Sequence, residues 1–160
     1  MEHLWSPWRY RYVSKAGPSA ECIFCSKASV ARDAENLVVH RAGRNFVILN
    51  LYPYTSGHLM IAPYEHVATL GEAADGTIEE MMRLTRSAEQ YLREIYKPEG
   101  MNIGMNLGHC AGAGVAGHIH MHVVPRWIGD ANFMTTVGET RVLPESLEDA
   151  YAKLSAAFRR

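Results

Sequence analysis

The chain has 160 residues, 48% of them apolar and 21% charged, with a formal charge of −1 at pH 7. That length suits one domain over residues 1–160 with a core of its own. The near-neutral balance lacks both the basic excess of a bulk nucleic-acid binder and the acidic excess of a disordered chain, so any phosphate-bearing ligand must be held by local groups.

The start, MEHLWSPWRYRYV, has no apolar h-region and does not read as a signal peptide. No apolar run approaches the ~20 residues of a membrane helix. The three cysteines, Cys22, Cys25 and Cys110, are too few and uneven for a disulfide framework, so a reducing, cytoplasmic setting without membrane contact is expected. Residues 1–20 read as an aromatic and basic arm (Trp5, Trp8, Tyr10, Tyr12) that packs on the body or on a second subunit. CIFC follows at 22–25. Strand-like runs come next at 37–41 and 45–50, joined by the turn Ala42-Gly43-Arg44 as a hairpin. A third strand covers 57–64, with Pro63 marking its end or an edge. The clearest helix spans Thr77 to Tyr96. Thr77 and Glu80 have capping-box spacing, Ile78, Met81, Thr85, Ala88, Leu92 and Ile95 form an apolar stripe, and Lys97-Pro98 stops it. MNIGMNLG (101–108) reads as a fourth strand and 117–127 as a fifth. A last helix near 146–158 places Leu147, Tyr151, Leu154 and Phe158 on one side. The order predicts an α+β domain with an antiparallel sheet of about five strands.

GHIHMHVVPRW (117–127) holds three of the chain's eight histidines within five residues. On a strand His118, His120 and His122 share one face, and Ile119, Met121 and Val123 face the core. A polar face that happens to carry histidine is the plain alternative. Neighbours on such a face are ~6.6 Å apart and the outer pair ~13 Å. With zinc–nitrogen bonds of ~2 Å, one ion does not readily take all three, so their jobs should differ. A neutral imidazole is also a nucleophile towards phosphorus, and a second can hold phosphate oxygens and assist the leaving group. Cys22 and Cys25 have the spacing of two zinc thiolates; a redox pair or two small buried hydrophobes are the alternatives.

His-x-His-x-His followed by two apolar residues resembles the signature of the histidine-triad (HIT) superfamily of nucleotide hydrolases and transferases. CIFC, NFVILNLYPYTSGHLMIAPYEH and GMNLG resemble further blocks of that family in the same order, over roughly residues 22–127. The resemblance implies a HIT-like fold, a homodimer and a nucleotide substrate. It implies His120 as nucleophile on an α-phosphate and His122 at the phosphate and bridging oxygen. By the same resemblance His58 and Asn106 lie near the phosphates and Asn50 near the ribose hydroxyls; turn chemistry is the plain reading of both asparagines. It also implies His66 and His118 as partners of Cys22 and Cys25 in one structural zinc site per chain, and leaves room for magnesium arriving with the substrate. Cys110, His3, His40 and His109 are read as structural or surface residues.

Gly112, Gly114 and Gly117 spell GxGxxG but lead into a strand rather than a helix, which excludes a dinucleotide fingerprint. They read instead as a tight loop, with Gly114 in it, whose N–H groups can approach phosphate oxygens. No Gln or hydroxyl residue lies between Asn106 and His118, where hydrolase branches of the family often carry Gln-Ser. Orienting the nucleophile then falls to His122 and backbone amides. VVPRWIGDANFM and the N-terminal arm resemble the bacterial diadenosine tetraphosphate phosphorylase branch, which uses inorganic phosphate. That likeness makes Trp127 a pocket residue, against capping of the sheet end, and Arg126 an anion contact. The expected reaction is phosphorolysis of diadenosine tetraphosphate to ADP and ATP. The alternatives are a HIT hydrolase of dinucleoside polyphosphates or phosphoramidates, a non-catalytic nucleotide-binding scaffold, and a zinc sensor.

Overall fold

Two near-continuous apolar runs, NFVIL and LMIAP, form the middle of the molecule because both of their faces are covered. In the computed structural model, which describes residues 22–132 and 144–160, they are β2 (Asn45–Leu49) and β3 (Leu59–Pro63), buried at every position. With β1 (Val38–Arg41), β4 (Gly100–Gly104) and β5 (Met121–Arg126) they make an antiparallel sheet of order β1-β2-β3-β5-β4. The N-terminal arm at 1–20 lies outside the described residues.

One face of the sheet packs Val47, Leu49, Leu59, Ile61 and Val123 against the long helix α3 (Asp75–Tyr96) and the C-terminal helix α4 (Leu147–Phe158), through Met81, Leu84, Ala88, Leu92, Ala150 and Leu154. The other face is covered over only part of its width. Val38, Phe46, Ile48, Met60 and Ala62 bury Phe24 of the short helix α1 (Ile23–Ser29), which a four-residue helix α2 (Asp33–Asn36) joins to β1. Towards β5 and β4 that face is open, and the histidine cluster stands at the boundary between the covered and open halves.

The helix predicted from Thr77 starts two residues earlier, at Asp75, with Ala74 as N-cap and no side-chain cap. Glu80 does not close a capping box. Its carboxylate accepts the backbone N–H groups of Gly43, Arg44 and Asn45 and the Asn45 amide, which ties α3 to the β1–β2 turn. Three orphan donors in a tight turn outcompete one helix-end donor for the same acceptor. Lys97 ends the helix in a left-handed conformation. The third strand stops at Pro63, as its missing N–H requires. The fourth strand ends at Gly104, short of the predicted 108. The fifth begins at Met121, not at 117, so only His122 of the three histidines lies within it. The alternation nonetheless persists through the preceding segment, because Ile119 and Val123 join the α3-side core while the histidines take the other side. No helix among the described residues is long and apolar enough to cross a membrane.

Candidate active site and metal centre

CIFC folds as the first turn of α1, with Cys22 as N-cap. Residues three apart on a helix share a face, so Cys22 and Cys25 look the same way and Phe24, between them, enters the core. His118 donates Nε2–H to the Pro63 carbonyl at 2.9 Å. Its Nδ1 lone pair is thereby turned towards Cys22 Sγ at 3.3 Å, Cys25 Sγ at 3.6 Å and His66 Nδ1 at 3.3 Å. Cys25 Sγ lies 3.2 Å from His66 Nδ1. The four donor atoms fall within 4.8 Å of one another. A tetrahedral zinc with bonds of ~2.0 Å to nitrogen and ~2.3 Å to sulfur spaces its donors ~3.3–3.8 Å apart, and the four separations of 3.2 to 3.6 Å given above lie close to that range. The donor set suits zinc; magnesium, which prefers oxygen ligands, has no support in it.

Hydrogen bonds decide the protonation of the other histidines. His120 donates Nδ1–H to the His118 carbonyl at 2.9 Å, which leaves the lone pair on Nε2. Burial holds its imidazole below the ordinary range, opposed in part by that same bond. His58 is fully buried, at the start of β3 after Gly57, whose φ is +76° and whose missing side chain makes room for Leu92 and Tyr96. The Tyr54 backbone N–H donates to His58 Nδ1 at 3.1 Å. His58 must therefore carry its proton on Nε2, and it donates this to His122 Nδ1 at 2.9 Å. His122 is left with Nε2–H as a donor at the cleft that it lines. One imidazole thus offers a lone pair and its neighbour a proton, with ring centroids 4.8 Å apart.

The cleft encloses about 410 Å³ on the open half of the sheet, and its walls include Tyr54, Thr55, Asn106, His122, Arg126 and Asp130. His120 sits one ring deeper, 4% exposed, with Phe24 packed on it at 4.9 Å between centroids. Asn50 is beside His58, 3.4 Å from its Nδ1, and its Oδ1 accepts the Tyr52 N–H, the turn bond of the plain reading.

The HIT domain model matches residues 31–127. The chain belongs to the HIT family. It is 39% identical to a Mycobacterium tuberculosis protein described as an AP-4-A phosphorylase, over all of this chain and 86% of that one. Among solved structures it resembles a zinc-bound histidine triad family protein from Mycobacterium smegmatis, with TM-score 0.69, 28% identity and coverage of 88% and 95% of the two chains. A hypothetical histidine triad nucleotide-binding protein from Sulfolobus tokodaii matches with TM-score 0.69 and 26% identity, over 86% and 92%.

Within this HIT fold, several sequence-predicted residues lie away from the cleft. Gly114 is in the exposed loop that follows a 3-10 turn at His109–Ala111 and is not part of the cleft wall. Trp127 is half-buried and also off the wall; its backbone N–H donates to Asp130. Arg126 does line the cleft but is paired with Asp130 rather than standing as a free cation. Phe24, Tyr54, Asn102 and Asp130 were not legible as site residues. The first packs at a tilt against His118 and His120 from inside a cysteine motif, and Tyr54 acts through its backbone. Only the i,i+4 spacing of Arg126 and Asp130 was a signal.

Burial, with the His120 ring adding to it, pushes the His122 imidazole down to about 4. An unfolded histidine titrates near 6.5, so the unfolded chain binds this proton first as pH falls. Stability contributed by neutral His122 is full above about 6.5 and is lost progressively down to about 4. At about 1.4 kcal/mol per pH unit the loss over this window is on the order of 3 kcal/mol. Thermal melts of wild type and His122→Gln between these pH values are expected to converge as pH falls. Parallel curves would mean that His122 titrates as an exposed histidine.

Proposed function

We propose that this HIT protein is a nucleotidyltransferase that works through His120 and phosphorolyses diadenosine tetraphosphate to ADP and ATP. The observation that carries the reading is the pairing of tautomers: a lone pair on His120 Nε2 beside a proton on His122 Nε2. Full-length similarity to an AP-4-A phosphorylase supports the choice of substrate. His120 Nε2 forms a bond to the α-phosphorus, and the bond to the bridging oxygen breaks. The departing nucleoside triphosphate takes the electron pair while the His122 N–H stabilises that oxygen. An oxygen of inorganic phosphate then bonds to the same phosphorus, the P–N bond breaks and the imidazole is restored. Asn106, on the cleft wall, is assigned to the phosphates and Asn50 to the ribose. His58 holds the His122 tautomer.

Cys22, Cys25, His66 and His118 would hold one structural zinc per chain, clamping α1 to the segment that carries His120. The homodimer and the cytoplasmic setting belong to this reading; β4, at one end of the sheet with Ile103 exposed, offers an edge for a second copy. Incubation with diadenosine tetraphosphate, with and without phosphate, tests the reaction. ADP and ATP that appear only with phosphate support it. AMP and ATP regardless of phosphate would make the protein a hydrolase, and no turnover would reject both.

A further inference from the structure

The open half of the sheet continues beyond the reaction centre. His122, Val124 and Arg126 point to the same side of β5. Opposite the first and last of these, β4 places glycines, Gly104 and Gly100. A side chain at Gly104 would meet nothing within 4 Å, so the floor beside His122 is bare backbone. The far wall is made by one hydrogen-bonded group. Arg126 donates Nε–H to Asp130 Oδ2 at 2.6 Å, Nη2–H to Asp130 Oδ1 at 2.8 Å and Nη1–H to Asn102 Oδ1 at 2.6 Å. Asp130 is mostly buried, so the guanidinium is held by a firm base.

A guanidinium has five N–H groups. Three are committed here, and two remain. The Asn102 amide adds two more, while its oxygen and both Asp130 oxygens already accept. The unspent groups on this wall are therefore N–H donors, and they suit a ligand rich in acceptors. The pair is nearly neutral, which favours a chain of phosphate oxygens that must later leave over a tightly trapped anion. Arg126 lies four steps along the strand from His122, ~13 Å at ~3.3 Å per step, so the reacting phosphate itself is out of reach.

We infer that Arg126, Asn102 and Asp130 form a subsite for the distal phosphates of the departing nucleoside polyphosphate, and so select substrates by the length of the leaving group. The assignment of "departing" rests on the proposed reaction; the binding of a phosphate chain does not.

Two measurements test it. Calorimetry of inorganic tripolyphosphate binding to the intact protein is expected to show a loss of about 10- to 100-fold in Arg126→Gln, as for a charge-assisted hydrogen bond. The loss should be smaller, in the same direction, in Asn102→Ala, an exposed position that does not threaten folding. In kinetics, Arg126→Gln should lower kcat/KM for diadenosine tetraphosphate by a similar factor and leave adenosine phosphoramidate, whose leaving group has no phosphate, unchanged. Unchanged tripolyphosphate binding in both variants, or equal losses on the two substrates, would overturn the subsite. If the wild type turned over neither substrate, the proposed reaction would fail, and calorimetry alone would still decide the subsite.

Discussion

Replacing His120 with alanine is expected to lower turnover of diadenosine tetraphosphate by at least ~10³-fold, with nucleotide affinity within a few-fold of wild type. Among the described residues, the neighbouring imidazoles are already committed. His118 has spent Nε2 on the Pro63 carbonyl and turned Nδ1 to the cysteines. His122 Nδ1 already accepts from His58, and its remaining nitrogen carries a proton. His58 is fully buried behind it. Among the described histidines at the site, His120 is the one with an uncommitted lone pair next to the cleft. Intact-mass measurement after brief incubation should detect a nucleotidyl adduct on wild type and none on His120→Ala. Unchanged turnover in the variant would show that His120 is not the nucleophile.

Removal of the metal should be the largest structural lesion. Cys25→Ser is expected to lose one zinc per chain by elemental analysis and to melt about 10 °C lower. That figure follows from about 4 kcal/mol of linkage at a thousandfold excess over Kd and 2–4 °C per kcal/mol for a chain of this size. Catalysis should fall with it, because the metal side and the nucleophile share parts. The His118 carbonyl accepts the His120 N–H, and Phe24 packs on both rings, at 5.1 Å and 4.9 Å. Loosening α1 releases Phe24 and lets His118 shift, so the lone pair on His120 loses its aim. A protein that keeps its metal content and melting temperature after Cys25→Ser would show that the four donors are not a metal centre. A protein that loses metal but retains full kcat would show that the two sites are independent.

The alternation His118, His120, His122 against Ile119, Met121, Val123 was readable because period 2 is a local property of extended backbone. The apolar stripe of α3, the C-x-x-C turn and the succession of strands along the chain are likewise local patterns. The ordered motifs carry the likeness to the HIT family in the sequence itself. Other features depended on segments distant in sequence. Glu80 carries capping-box spacing, yet serves the β1–β2 turn, since the local pattern is blind to a richer set of donors across the fold. Arg126 reads as a free cation until Asp130 and Asn102 are seen around it. The roles of the histidines follow from the ordered motifs, but the proton positions that let them act do not. Their proton positions follow from the Pro63 carbonyl, the His118 carbonyl and the Tyr54 N–H, backbone groups that carry no side-chain signature. Sequence by itself determined which residue types share one side of the extended segment that leads into β5. Folding decided which nitrogen of each ring holds the proton, because that depends on partners up to 64 residues away in the chain.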